Sequence, residues 1–228
     1  MGERSILNSA EVRWFWRKEP PIELKDWFHD PLVHGCPPGG GPPSRDDIYL
    51  VTDSDELGIK VRGVKGRNSE GTGVRAPLEL KGMVGEHRHT EGPGPSPAPI
   101  QLWCKWTVPG IDLGQARTCR VSKTRWLRRF ETSGNAPVEV PLGRDETPLD
   151  HRVGPQIPVR GCNVELTEVR LDDGQVWWSF CIEAYGEMGT VVKDTRSTTD
   201  LLYRRGHFPD LSTGSLFSYP EWLAQLRL

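Results

Sequence analysis

The stretch Val121-Ser122-Lys123-Thr124-Arg125-Trp126-Leu127-Arg128-Arg129-Phe130 decides how the rest of the chain is read. Taken as a strand, it puts alternate side chains on opposite faces, so Lys123 and Arg125 share a side with Leu127 and Arg129. Two cations so close on one face repel each other. They are tolerated on wet surface, or where an anion sits between them. The same spacing recurs at Lys60 and Arg62, inside Gly58-Ile59-Lys60-Val61-Arg62-Gly63. A single pair reads as solvated surface; a recurring one points to a shared anion.

Working outward, other segments alternate in the same way. Ala10 to Trp16 reads as a first strand, with Glu11, Arg13 and Phe15 on one face and Val12, Trp14 and Trp16 on the other. Pro20 and Pro21 end it, and Ile22 to His29 suits a short helix. Strands are expected over Asp47–Thr52, Gly58–Gly63, Pro77–Gly82 and Ile100–Thr107. Val159–Leu171 and Val176–Tyr185 form a hairpin pattern around Asp172-Asp173-Gly174. Ser218 and Glu221 have the spacing of a capping box opening a C-terminal helix. Gly- and Pro-rich stretches at 37–46 and 84–99 read as mobile loops. The count is about eight strands and two or three helices.

The chain has 228 residues, enough for a sizeable core, and 29 Lys+Arg against 31 Asp+Glu. That balance argues against a general nucleic-acid coat, so an anion site must come from local clustering. No apolar run is long enough to span a bilayer and Met1 to Ser5 opens no apolar signal core, so the expectation is a cytoplasmic protein without a membrane role. Five cysteines without a Cys-x-x-Cys pair read as buried reduced thiols. Nine tryptophans supply wide aromatic faces for a core, with Trp14, Trp16, Trp106 and Trp126 assigned to it.

A sheet with one wet side should mix Thr, Ser, Gln, Glu and Lys on that side. Here the polar faces carry Lys60, Arg62, Lys81, Lys105, Lys123 and Arg125, joined by Glu11, Glu79, Glu165 and Glu183. A closed antiparallel barrel would turn one face inward and make a polar interior into a ligand tunnel. Cations converging there would hold phosphate groups, Arg as a two-pronged donor and Lys as a point charge.

Five pieces occur in an order that resembles the CYTH superfamily, the triphosphate tunnel metalloenzymes. They are Glu11-Val12-Arg13, Gly58-Ile59-Lys60-Val61-Arg62, Leu78-Glu79-Leu80-Lys81, Lys123-Thr124-Arg125 and Ile182-Glu183-Ala184-Tyr185-Gly186. The resemblance implies an α+β fold dominated by β: one domain over 1–228, an antiparallel eight-stranded tunnel-like barrel with a few flanking helices. It implies a small phosphorylated substrate held by Lys60, Arg62, Lys81, Lys105, Lys123 and Arg125. It also implies Mg²⁺ or Mn²⁺ on Glu11, Glu165 and Glu183; no catalytic residue is assigned. The chain departs from the family at two places. The family's first strand reads Glu-x-Glu-x-Lys, where this chain has Glu11, Arg13 and Phe15, and its last strand carries Glu-x-Glu, where this chain has Cys181 and Glu183.

The carboxylates can equally serve to neutralise Lys and Arg in a crowded interior, the role given to Glu79 beside Lys81. Arg128-Arg129 is read as a surface pair, and His34, Cys36 and His87-Arg88-His89 as exposed loop residues. Trp103 shares a face with Lys105, where stacking on a nucleobase is a lesser alternative to packing. Two main functional classes stay open. One is a metal-dependent triphosphatase; the other is a non-catalytic nucleotide or phosphate sensor, or an interaction module whose loops contact a protein partner.

Overall fold

In the computed structural model, described residues run over 5–42, 44–63, 77–87, 98–108, 113, 115–149 and 159–226. Strand β1 spans Ser5–Arg17, and its alternation decides which side is which. Ala10, Val12 and Trp16 point into an apolar cluster that also contains Leu24, Trp27 and Phe28. These three are the i, i+3, i+4 face of helix α1, Ile22–His29. A four-residue helix α2, Pro31–His34, follows; the Asp30 carboxylate accepts the Leu32 N–H at 2.8 Å at its start.

The chain then lays down β2 (Gly39–Gly40), β3 (Arg45–Leu50), β4 (Leu57–Arg62), β5 (Leu78–His87) and β6 (Ile100–Val108). Next come β7 (Thr118–Glu131), β8 (Val138–Val140), β9 (Gly161–Leu171) and β10 (Val176–Gly186). Helix α3 covers Met188–Arg204, β11 is Ser215–Leu216, and α4 is Tyr219–Gln225. Eight strands pair in the order β10-β9-β7-β3-β4-β5-β6-β1, and β10 pairs back onto β1. All of these pairings are antiparallel, so the sheet closes into the expected barrel and leaves the eight no free edge. Short β2 and β8 add to β7, and β11 adds to β1.

Outside the barrel, α1 and α3 cover the β1, β9 and β10 side, and the main core lies between them and the sheet. A second apolar cluster lies at one end: Phe15, Tyr49, Val121, Val169 and Leu171 meet Trp222 and Leu223 of α4. The Trp222 ring stacks on Phe15 at 4.9 Å. Both members of the capping box form at Ser218 and Glu221, fixing where α4 begins and hence where this stopper sits.

Several expectations change. The first loop is not a free one: Gly39 and Gly40 pair with Leu127 and Trp126, and β3 already begins at Arg45. The glycines permit this approach, since a side chain on Gly40 (φ +82°) would meet the Arg125 carbonyl oxygen at 2.4 Å. The second loop begins later than expected, because β5 continues through His87; Arg88, His89 and residues 90–97 lie outside the described residues. Helix α3 was not anticipated. Trp14, Trp16 and Trp126 pack in the outer core, whereas Trp106 is 39% exposed on the outside of β6. All five cysteines are free thiols, three of them buried. Among the described residues no helix is long and apolar enough to cross a membrane.

Candidate functional site

Strand parity carries the polar faces inward. A cavity of about 170 Å³ lies inside the barrel, well above the roughly 10–15 Å³ that one water needs. Six strands send cations to its wall: Arg13 from β1, Arg45 from β3, Lys60 and Arg62 from β4, Lys81 from β5, Lys105 from β6, and Lys123 and Arg125 from β7. Four carboxylates share the wall, Glu79, Glu146, Glu165 and Glu183. All six expected phosphate-binding residues therefore reach one cavity. Its floor is Tyr49 with Tyr219 and Pro220 from α4.

Each carboxylate is committed to cations. Glu79 accepts from Arg62 at 2.8 Å, pairs with Lys60 at 3.0 Å and lies 3.7 Å from Lys105. It is not the partner of Lys81, because Lys60 stands opposite it on β4 and Arg62 reaches it from two residues along, while Lys81 reaches across to β1 and β10. Buried Asp47, behind the wall, pairs with Arg45 at 3.1 Å, Lys123 at 3.4 Å and Lys60 at 3.5 Å. Burial opposes the charges of Asp47 and Glu79, yet these cations hold both carboxyls well below their usual range. Arg125 is held between Glu165, at 2.8 Å, and Glu146.

The cations crowd one another. Burial and then the nearby Lys60 push the Lys123 ammonium well below its ordinary value, despite Asp47. Burial also lowers Lys60. The Lys123 ammonium donates to the Tyr49 hydroxyl at 2.6 Å and lies 3.8 Å from the Tyr219 ring centre. Two further buried polar atoms in this wall, the Tyr219 hydroxyl and Arg13 Nε, have no hydrogen-bond partner among the described residues.

The expected metal ligands do not fit a divalent ion. Glu11 is bonded to Lys81 at 2.5 Å, Glu183 pairs with Lys81 at 3.4 Å, and Glu165 turns to Arg125. Among the described residues, no group of three or more His, Cys, Asp or Glu is placed to hold an ion together. The site residues also outnumber those read from sequence. Arg45 escaped because the strand appeared to start at Asp47; the alternation Arg45, Asp47, Tyr49 was there to be extended. Glu146 comes from a tight turn and Tyr219 from a helix, and neither carries a periodic signal.

Elsewhere the surface assignments move inward. Arg128 is buried, donating to the Phe28 carbonyl at 2.6 Å and to Glu139 at 2.7 Å. Arg129, on the other face, donates to Asn163 at 3.2 Å. His34 is buried against the Trp27 carbonyl at 3.0 Å, and burial with the charges of Arg128 and Arg205 lowers it to about 3. Cys36 is half-buried beside Glu139. Trp103 is fully buried with the Lys81 ammonium 5.0 Å over its ring, which leaves it packed rather than open to a base. Compared with protein-family models, with curated proteins and with solved structures, the chain matches none.

Proposed function

We propose that the barrel binds a small phosphorylated polyanion, of the triphosphate kind, as a sensor or carrier pocket and does not turn it over. The observation that carries this is a count with a location: eight Lys and Arg side chains from six strands share one cavity wall with four carboxylates. Enclosing like charges is costly, and an arriving polyanion relieves that cost. The unpartnered Tyr219 hydroxyl and Arg13 Nε are donors without acceptors, which suits a ligand rich in acceptor oxygens. On this reading the chain is a divergent relative of the CYTH proteins, sharing the cation pattern without the full set of glutamates.

The state of three glutamates in the wall supports binding without hydrolysis. Water attack on phosphorus needs an acceptor for the proton, with a pKa near the working pH. Glu79, Glu165 and Glu183 are all drawn below their ordinary values by Lys and Arg, against the effect of burial. They are poor proton acceptors.

The test is thermal unfolding with tripolyphosphate, ATP, thiamine triphosphate and inorganic phosphate, beside phosphate release from the same compounds. Ligand at a hundredfold excess over Kd should add about 2.7 kcal/mol, a rise of roughly 5–10 °C for a chain of this size. The rise should vanish in Lys123→Ala/Arg125→Ala, and no phosphate should be released. No shift with any of these anions overturns the reading; sustained phosphate release lost in Glu183→Gln replaces it with the enzyme.

A further inference from the structure

Glu11 of β1 and Glu183 of β10 are direct partners across their ladder, two carboxylates side by side inside the barrel. Such a pair needs a cation between its oxygens. The cation between them is Lys81, which reaches over from β5: its Nζ donates to Glu11 at 2.5 Å and to Glu183 at 3.4 Å, while Arg13 stands beside Glu11 alone at 3.7 Å. Two carboxylates at these distances hold the lysine as an ammonium.

A divalent ion asks for several oxygens at about 2.0–2.6 Å. At this wall the oxygens already face an ammonium, and the next carboxylate, Glu165, is turned to Arg125 at 2.8 Å. An ion entering between Glu11 and Glu183 would have to expel a charged lysine that is tied to the backbone. We propose that Lys81 is a resident cation standing where a divalent metal would otherwise sit, and that the pocket takes its phosphorylated ligand metal-free.

The second half of this statement rests on the anion-binding reading; the first half concerns the protein alone. Mg²⁺ on a polyphosphate neutralises charge and occupies the oxygens that Lys and Arg would hold. Mg²⁺ and the protein therefore compete for the ligand.

Two measurements separate the halves. Mn²⁺ is titrated without phosphate into wild type, Lys81→Ala, Lys81→Met and Lys81→Ala/Glu183→Gln, and free Mn²⁺ is followed by its electron paramagnetic resonance signal. Wild type should leave the signal unchanged, either single variant should capture about one ion per chain, and the double variant should release it. About one Mn²⁺ captured per wild-type chain overturns the role given to Lys81, as does a folded Lys81→Ala and Lys81→Met pair that captures none. Calorimetry of wild type with tripolyphosphate then compares EDTA with excess Mg²⁺. Affinity should fall about tenfold with Mg²⁺, some 1.4 kcal/mol. Equal or tighter binding with Mg²⁺ overturns the metal-free ligand and keeps the anion pocket. Absence of binding in both overturns the anion pocket and the metal-free ligand together, while the Mn²⁺ titration still decides Lys81.

Discussion

Replacing Lys123 by Met should make the protein more stable and worse at binding anions. The lysine is only 8% exposed, and burial together with Lys60 disfavours its charge. Its removal does not orphan Asp47, which keeps Arg45 at 3.1 Å, Lys60 at 3.5 Å and the Gly63 N–H at 3.2 Å. Methionine is similar in length and can lie against the stacked rings of Tyr49 and Tyr219, which the ammonium now approaches at 4.8 and 3.8 Å from their centres. Exchanging a whole buried ion pair for apolar groups of like volume is neutral or gains about 1–4 kcal/mol, and losing one member is costly only where the other is left unpaired, which Asp47 is not. Taking the lower half of that range, because Asp47 does lose one partner, gives roughly 1–2 kcal/mol, or about 2–8 °C in Tm. A hydrogen bond to a charged group contributes about 1.5–3 kcal/mol, so affinity for tripolyphosphate should drop about 10- to 150-fold. Differential scanning fluorimetry and calorimetry at neutral pH measure the two effects on one sample. A lower Tm with unchanged affinity would make Lys123 a structural partner of Asp47 and no part of a site. Opposed effects on stability and binding are what a pocket kept for function predicts.

Other consequences of the same wall can be measured. Lys60 and Lys123 sit below their ordinary value in the free protein, so a bound anion raises both and protons are taken up on binding. Affinity should therefore fall as pH rises through the depressed values toward 10.5, and the apparent heat should depend on the ionisation heat of the buffer; buffer-independent heats would count against it. Glu146→Gln loosens one of the two carboxylate holds on Arg125 and should tighten tripolyphosphate binding about three- to tenfold, while weaker binding would place Glu146 among the ligand's own contacts. Trp222→Ala removes a fully buried ring stacked on Phe15 and should cost about 3–5 kcal/mol in denaturant unfolding; a loss under about 1 kcal/mol would mean that α4 does not close the barrel.

The barrel was legible because its strands obey a period of two with charge on one side. Lys60 and Arg62, or Lys123 and Arg125, are assigned to one face by counting alone, and the structure brings them to one cavity. Helix α3 was not legible, since its buried stripe is Val191, Asp194, Thr195, Thr198 and Leu202. Threonine and aspartate are weak helix formers, and here they are held by tertiary bonds: Thr195 donates to the Ala10 carbonyl at 3.1 Å, and Asp194 accepts twice from Arg160. Arg128 and Arg129 were misread for a related reason. Neighbours on a strand must face opposite ways, so they were never one patch. What holds Arg128 inside is the Phe28 carbonyl at the end of α1, a backbone acceptor left open by the helix and invisible from the strand that carries the arginine.

Core and site are divided unevenly round the barrel, and this sets where the molecule should give. Strands β9 and β10 are buried along almost their whole length and lie under α3, whereas β4 has no fully buried residue and β5 has two. Yet β4 and β5 hold four of the cavity's charged residues, Lys60, Arg62, Glu79 and Lys81, on their inward faces, while most of their other side chains are only half-buried or exposed. Opening costs least where few apolar contacts are lost and like charges are released. Amide hydrogen exchange in the free protein should accordingly be slowest in β9 and β10 and faster in β4 and β5. An anion that ties the cations of β4 and β5 to those of β7 should slow β4 and β5 and leave β9 and β10 nearly unchanged. Protection spread evenly over all eight strands would instead mean that the ligand acts on global stability alone, and the charged half of the barrel would lose its claim to be the part that responds.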